Sequence, residues 1–254
     1  MKRLLSIAAL FSLLLLPVSL NAGRGFAGTD LIVAGSAGTP LDISTGPMTV
    51  SAWFYPTTVD ASAHDIVTHG GTSGVGAQFQ ISLGRGVCST GGTNQIVYNV
   101  GGGSGCVLGV YGALGTITAN HWYFVLLFVD SAGKYYGSPA AGIVLSGFGL
   151  SYQAFREYRI AGGSLDIGGY QSTGTFKGTI AEVGIWNDIL NSSEIAALEA
   201  GVSPNRIRRS ALAGYFPLYG AHSPEPDYSG NKDNGTLTGT TVVPHCPCGF
   251  VFNE

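Results

Sequence analysis

Two acidic side chains lie close together in FKGTIAEVGIWNDILNSSEIAAL, residues 176–198. They are Glu182 and Asp188, on either side of Trp186. Acid-catalysed cleavage of a glycosidic bond needs two carboxyl groups about 5–10 Å apart. Asp188 follows Glu182 by six residues and lies beyond the end of the predicted strand, about 20 Å away at ~3.3 Å per residue. The spacing therefore favours a structural role for this pair over a catalytic one.

The apolar pattern of the same strand changes phase at Glu182. Phe176 and Ile180 fall on one face, whereas Val183 and Ile185 fall on the other. A β-bulge with one extra residue would turn Ile180, Val183 and Ile185 to the same side. Glu182 then lies at the irregularity, where its carboxylate is a good acceptor for unpaired backbone N–H groups. We therefore predict that Glu182 belongs to the scaffold.

Motifs of other catalytic sites are absent from the sequence. It contains no Glu-x-Asp-x-Glu pattern, no Gly-x-Ser-x-Gly, no Walker-type loop and no His-Glu-x-x-His. Long-range strand pairing could still bring in Asp166 or Glu157, although nothing in the sequence points to it. We predict that the protein is not an enzyme and has no catalytic residue.

Oxygen-bearing side chains also gather in SPEPDYSGNKDNG, residues 223–235. Asp227, Asn231 and Asp233 offer the hard oxygen ligands that Ca²⁺ prefers, and Asp30 could approach if the last strand pairs near the first. The spacing is not that of an EF-hand, and a lysine interrupts it. The alternative is an Asx-rich turn held by its own side-chain hydrogen bonds. Calcium is the candidate cofactor, with these four residues as its candidate ligands.

Four cysteines divide into two pairs. Cys88 and Cys106 flank two β segments and their glycine-rich turns. In an exported protein a disulfide between them is expected, with two buried free thiols as the alternative. Cys246 and Cys248 lie in HCPC, where His245 suggests a metal clip, but no second pair of ligands is present. A mobile tail, or a disulfide involving one of these two cysteines, is the expectation there.

The N-terminus, MKRLLSIAALFSLLLLPVSLNA, has the layout of a secretory signal. Lys2 and Arg3 precede a short apolar run that Pro17 interrupts, and cleavage is expected after Ala22. An uncleaved anchor is the alternative, although the run is shorter than the ~20 apolar residues of a spanning helix. We therefore expect a secreted or extracytoplasmic protein that does not span the membrane after cleavage of residues 1–22.

The composition is weakly charged and rich in glycine. Only 11% of residues are charged, 45% are hydrophobic, and 40 are glycine. Removal of Lys2 and Arg3 leaves 10 basic and 15 acidic residues, a net charge of −5. Because no basic cluster is visible, nucleic acid is excluded as a partner.

Many short apolar or alternating segments separated by glycine-rich turns predict about a dozen strands. The clearest are FAGTDLIVAG (26–35), PMTVSAWFYP (47–56), HDIVTH (64–69), AQFQISLG (77–84), NQIVYNV (94–100), HWYFVLLFVD (121–130), SLDIGGY (164–170), LAGYFPLYG (212–220) and TLTGTTVV (236–243). One short helix follows Asn191, whose side chain can cap it, with Glu194 at the capping-box spacing. Strands without alternating helices predict an all-β sandwich or barrel.

Five pieces in order resemble the laminin-G-like, concanavalin A-like jelly-roll domains of bacterial and phage proteins. They are FAGTDLIVAG, TVSAWFYP, HWYFVLLFVDSAGKYYG, SLDIGGY and FKGTIAEVGIWNDILNSSEIAAL, and the resemblance covers about residues 24–243. It implies a two-sheet antiparallel jelly-roll sandwich at 23–243, one short C-terminal helix, and a tail at 244–254. It also implies binding of carbohydrate or protein at a sheet face or at loop ends, with a frequent calcium ion at the rim.

We therefore expect an exported, non-catalytic module that binds a glycan or surface polymer, or a protein. Exposed aromatic residues could stack on sugar rings, although aromatic residues in strands are more often core or cross-strand partners. The ligand-binding residues are not identified by the sequence. The alternatives are a structural or adhesive protein of a virion or cell surface, and a polysaccharide hydrolase or lyase with an unrecognised acidic pair. The aromatic candidates are Tyr98, Tyr111, Tyr136, Tyr152 and Tyr170.

Overall fold

A computed structural model describes residues 22–70, 78–85, 93, 95–100, 110–112, 117–129, 135–141, 162–170, 175–220 and 222–245. The predicted signal, except for its last residue, lies outside these ranges. So do all four cysteines, and with them the predicted Cys88–Cys106 disulfide. No helix within the described ranges is long and apolar enough to cross a membrane.

The described part of the chain contains fourteen strands and one α-helix. The strands are β1 (Ala22–Ala27), β2 (Leu31–Ala34), β3 (Met48–Pro56), β4 (Ala63–His69), β5 (Phe79–Gly84), β6 (Ile96–Val100), β7 (Val110–Gly112), β8 (Tyr123–Val129), β9 (Tyr135–Ala141), β10 (Leu165–Ile167), β11 (Lys177–Trp186), β12 (Leu212–Phe216), β13 (Thr236–Thr238) and β14 (Thr241–Pro244). The helix α1 (Ser192–Glu199) and two 3₁₀ turns, Pro204–Arg206 and Arg209–Ala211, lie between β11 and β12.

The strands form two seven-stranded antiparallel sheets. Sheet A has the order β14–β1–β11–β3–β8–β9, and β12 also pairs with β11. Sheet B has the order β13–β2–β10–β4–β5–β6–β7. The predicted all-β, two-sheet sandwich with one short helix is therefore confirmed.

Alternation of apolar residues along each strand builds the core between the sheets. Val50 and Phe54 of β3 face Ile81 of β5 across this core, and all three are fully buried. β3 lies between β11 and β8, in the middle of sheet A, which suits a strand with bulky residues on both faces.

Two predicted single strands are each two strands, which corrects the sequence prediction. Residues 26–35 divide at Gly28 (φ +95°), and residues 236–243 divide at Gly239 (φ +77°). These left-handed backbone angles suit glycine and interrupt the extended chain. At each break the chain passes from one sheet to the other, because β1 and β14 belong to sheet A whereas β2 and β13 belong to sheet B.

The helix begins with the predicted capping box. The Asn191 side-chain oxygen accepts from the backbone N–H groups of Ser193 and Glu194, both at 3.0 Å. The Glu194 carboxylate accepts from the Asn191 backbone N–H at 2.7 Å. Leu198 packs with Trp186 in a second apolar cluster, on the side of sheet A that faces away from sheet B.

A buried ion pair joins the first strand of the described chain to its C-terminal loop. The Arg24 Nε lies 2.9 Å from a carboxylate oxygen of Glu225, and both side chains are nearly inaccessible to solvent. Arg24 also donates to the backbone carbonyl of His222. Because both charges are buried, either one alone would be costly.

Candidate functional site

The bulge predicted at Glu182 is present. The pairing of β11 with β3 changes register between Ala181 and Gly184. Glu182 has the left-handed φ of +53° that the extra residue imposes. Ile180, Val183 and Ile185 all lie in the core between the sheets, as the phase change predicts.

The Glu182 carboxylate is held by side chains of distant elements. The Tyr215 hydroxyl donates to Glu182 Oε2 at 2.8 Å, and His245 Nε2 lies 3.5 Å from Oε1. The carboxylate therefore binds a side-chain hydroxyl, whereas backbone N–H donors were expected. Burial raises the pKa of Glu182 to about 7, against the opposing hydrogen bonds from Tyr215 and Ser203.

The structure gives Glu182 and Asp188 different surroundings. Glu182 adjoins a crevice between Trp53 and Pro204 that is too narrow to admit a water molecule. Asp188 instead forms a salt bridge with Arg208 at 2.7 Å beside the helix. These two acids therefore do not form a facing pair around a substrate-sized space.

The candidate calcium ligands Asp227 and Asn231 are engaged in hydrogen bonds within the loop and with β12. Asp227 Oδ1 accepts from the backbone N–H groups of Tyr215 and Ser229, both at 2.9 Å. Its Oδ2 accepts from the Ser229 hydroxyl at 2.8 Å and the Asp233 backbone N–H at 3.2 Å. Asn231 donates its side-chain N–H to the Ala213 carbonyl at 2.8 Å. The loop is thus an Asx-rich turn held by its own side chains.

Asp30 lies at the turn between β1 and β2. Its carboxylate accepts from the Ala27 backbone N–H at 2.7 Å, and a Cβ on Gly239 would clash with it. Asp233 Oδ2 is buried without a hydrogen-bond partner. Among the described residues, however, no group of three or more His, Cys, Asp or Glu side chains is placed to hold a metal ion. The hydrogen bonds of the loop favour the alternative of an Asx-rich turn, and calcium binding stays a prediction for direct measurement.

A row of polar side chains crosses four neighbouring strands of sheet B. Asp166 of β10 pairs with Thr68 of β4, Thr68 with Gln80 of β5, and Gln80 with Asn99 of β6. Direct partners across a sheet share a face. Ile81, next to Gln80, points into the core, so the row lies on the face of sheet B that points away from sheet A. We call these four residues the polar row.

Hydrogen bonds connect the polar row to a second carboxylate. Gln80 donates to Asp65 Oδ1 at 2.6 Å, and Asn99 donates to the Gln80 side-chain oxygen. Asp65, Gln80, Asn99 and Asp166 are all at most 2% exposed. The side-chain oxygen of Asn99 is buried and has no hydrogen-bond partner. A buried acceptor without a donor is rare in folded proteins and needs an explanation.

Two carboxylates influence each other at this row. Burial raises the pKa of Asp65 to about 7; hydrogen bonds from Ser82 and Gln80 oppose the shift, and the charge of Asp166 adds to it. The pKa of Tyr170 is also raised, first by burial and then by Asp166 and Asp65. Tyr170 is only half-buried. Thr68 of the polar row donates to the backbone carbonyl of Gly169 at 2.8 Å, so the row adjoins this half-buried tyrosine.

Sequence reasoning named Asp166 and Tyr170 separately but did not find the row. The polar residues occupy the positions that alternate with core residues in HDIVTH, AQFQISLG, NQIVYNV and SLDIGGY. That alternation indicates which residues of each strand face away from the core. It does not indicate which of them become neighbours, because the register between strands depends on long-range pairing. Among the other aromatic candidates, Tyr98 is fully buried in the core, so it does not form a stacking surface. Tyr152 and the side chains of Tyr111 and Tyr136 lie outside the described part.

Comparison with solved structures finds proteins of similar fold. A proposed carbohydrate-binding protein from Bacteroides ovatus has a TM-score of 0.62 and 18% identity, over 93% of this chain and 63% of that protein. Tailspike protein 2 of an Escherichia coli O157:H7 bacteriophage has a TM-score of 0.49 and 17% identity, over 80% and 28% of the two chains. A Trypanosoma rangeli sialidase has a TM-score of 0.41 and 17% identity, over 60% and 22%.

The chain spans less than two thirds of the length of each of these proteins. At such low identity the similarity shows the fold alone. No curated protein matches the chain. A family model, by contrast, matches residues 27–196, which is more than half of the sequence. The chain therefore belongs to the concanavalin A-like lectin/glucanases superfamily.

Proposed function

We propose that this protein is exported and binds carbohydrate, and that the polar row of sheet B is its binding site. The observation that carries the proposal is the alignment of Asp166, Thr68, Gln80 and Asn99 straight across four strands. The Bacteroides ovatus protein of similar fold, described as carbohydrate-binding, supports the same class of ligand.

Burial of the polar row lowers the stability of the fold. Burial of carboxylates and amides opposes folding unless every group finds a partner, and perturbed carboxylates cluster at functional sites. Here Asp65 has a raised pKa and the Asn99 side-chain oxygen lacks a donor. A sugar hydroxyl is a donor that would satisfy this oxygen.

The dimensions and charge of the row suit a neutral sugar chain. Four strands at ~4.8 Å spacing extend over roughly 14 Å, enough for more than one sugar ring. The four aligned side chains offer amide, hydroxyl and carboxylate groups, the types that hydrogen-bond sugar hydroxyls, and none of them is Lys or Arg. All four are at most 2% exposed, so binding requires the face of sheet B to open around them. The half-buried Tyr170 follows Gly169, whose carbonyl accepts from Thr68 of the row, and it adds an aromatic side chain next to the row.

A glycan array with matched variants tests the proposal. Asn99→Leu and Asp166→Asn each remove one polar contact of the row, and each is expected to weaken binding of the array ligand at least tenfold. Thr49→Val removes a buried hydroxyl from sheet A, where it donates to the Asp188 carbonyl at 2.7 Å. This control is expected to lower the melting temperature but not the affinity. Binding of no glycan, together with a concentration-dependent oligomer, would instead favour a structural or adhesive protein.

One observation favours polysaccharide cleavage as a second candidate function. Asp65, whose pKa burial raises to about 7, is hydrogen-bonded to Gln80 of the polar row, and the charge of Asp166 adds to the rise of its pKa. A protonated and an ionised carboxyl group are the pair that glycoside hydrolysis uses. Reducing-end release from a polysaccharide panel, lost in both Asp65→Asn and Asp166→Asn, would support this function. Binding without release of new ends supports the binding function.

A further inference from the structure

Three large side chains with apolar surface are exposed in the described part of the chain, and they lie on one patch. Tyr219, Tyr228 and Val242 are 37%, 40% and 58% exposed. A Cβ on Gly220, next to Tyr219, would lie 3.1 Å from Val242 Cγ1. The Tyr219 hydroxyl is hydrogen-bonded to Tyr215, and the Tyr228 ring lies 6.2 Å from the Tyr215 ring, so both exposed tyrosines adjoin Tyr215. We call these three residues the tyrosine patch.

Each tyrosine of the patch rests on a second aromatic ring. The Tyr219 ring lies 5.4 Å from the His245 ring, and His245 Nε2 lies 3.1 Å from the Pro217 carbonyl oxygen. The Tyr228 ring lies 6.2 Å from Tyr215, whose hydroxyl donates to the buried Glu182. These contacts hold the exposed rings in place before any ligand arrives, which lowers the entropic cost of binding.

A strained backbone turns Tyr219 outward. Leu218 has a φ of +61° although it is a bulky residue, and its side chain is fully buried in the core. The left-handed region is unfavourable for such a residue and persists only when the surroundings demand it. Burial of Leu218 beside an exposed Tyr219 is the arrangement that this backbone produces. Strain of this kind often occurs at binding sites.

The size of the patch favours a small, flat ligand. Because a whole aromatic side chain presents about 150–250 Å², the exposed parts of the three residues amount to roughly 250 Å². A stable protein interface needs about 800 Å² from each partner. The three residues of the patch carry no charge, and the two carboxylates that Tyr215 contacts, Glu182 and Asp227, are both buried. An uncharged ring of sugar size fits these limits better than a protein surface.

We propose that Tyr219 and Tyr228 form a second carbohydrate-binding surface, on which pyranose rings of a neutral polysaccharide stack. The proposal rests on the proposed function, because both sites take the same class of ligand. The patch adjoins Tyr215, on the outward side of sheet A, whereas the polar row lies on the outward side of sheet B. One molecule would therefore contact a polymer at two separate places and gain affinity from their combination.

Affinity electrophoresis of the full chain in gels containing β-glucan, galactomannan or arabinoxylan separates the two sites. Tyr219→Ala and Tyr228→Ala are each expected to weaken retention roughly fivefold, the loss of about one aromatic contact. Tyr228→Phe keeps the ring and is expected to bind more tightly than Tyr228→Ala. Thr238→Ala, at an exposed position of β13, serves as the control with wild-type retention.

Combination of the two alanine substitutions with Asn99→Leu separates the contribution of the tyrosine patch from that of the polar row. Weakened binding in the alanine variants, and loss of the residual binding when both are added to Asn99→Leu, supports the second surface. Wild-type retention of both alanine variants, with loss in Asn99→Leu alone, overturns it and leaves the polar row as the site. If the alanine variants lose retention and Asn99→Leu has no effect, the tyrosine patch is supported as a binding surface and the polar row is rejected as one. Retention of the wild type by none of the three polymers overturns both.

Discussion

Replacement of Glu182 by glutamine is expected to change how stability depends on pH. The folded pKa of Glu182 is about 7, raised by burial from an ordinary value of 4.5. A raised pKa means that the folded state binds the proton more tightly than the unfolded state does. The free energy of unfolding therefore falls as the pH rises from about 4.5 to about 7, where the proton is lost. At 1.36 kcal/mol per pKa unit, the ionised group costs about 3 kcal/mol above pH 7. Glutamine keeps the shape and an oxygen acceptor for Tyr215 but never ionises.

Urea unfolding of the wild type and Glu182→Gln across this pH range measures the effect. The stability of the variant relative to the wild type is expected to rise by about 3 kcal/mol between pH 4.5 and pH 7.5, and then to level off. Asp65 titrates in the same range and affects both proteins equally, so the difference between the two curves isolates Glu182. Two curves that remain parallel over the whole range would refute the buried, hydrogen-bonded placement of this carboxylate.

Three further outcomes follow from the described contacts. Arg24→Met leaves Glu225 buried without its partner and should cost about 3–5 kcal/mol in urea unfolding; an effect below 1 kcal/mol would contradict the buried pair. Asn191→Ala removes the helix cap and should cost about 1 kcal/mol, whereas Asn191→Asp should be close to neutral in the same assay. Calcium at millimolar concentration should give neither heat in calorimetry nor a shift in melting temperature, because Asp227 already accepts four hydrogen bonds; a saturable shift that Asp227→Asn removes would restore the metal site.

Local patterns were sufficient for the helix and for most strands. The capping box needs only Asn191 and Glu194 at the right spacing, and both contacts form within one turn. The alternation in residues 47–56 likewise identifies β3 as a strand. Its bulky residues on both faces indicate that both faces are covered. The phase change at Glu182 predicts its bulge for the same reason, since parity is a property of consecutive residues.

The errors concern features that depend on distant parts of the chain. Residues 26–35 look continuous because their apolar pattern survives Gly28, yet β1 pairs with β11 and β14 whereas β2 pairs with β10 and β13. The partners of Glu182 are equally remote, since Tyr215 follows it by 33 residues and His245 comes from the end of β14. No local pattern records which strands will meet, so the polar row was also beyond prediction.

Glu182 and Asp65 show why a raised pKa alone does not identify a binding site. Both carboxyl groups are buried, and both have a pKa of about 7. Glu182 is enclosed by groups of its own scaffold beside a crevice without room for water. Asp65 instead leads through Gln80 to Asn99, whose side-chain oxygen has no donor. Because an unsatisfied buried acceptor destabilises the free protein, a ligand that supplies the missing donor gains that energy on binding. The incomplete hydrogen bonding of the polar row, together with its alignment across four strands, therefore supports the proposed site better than the pKa does.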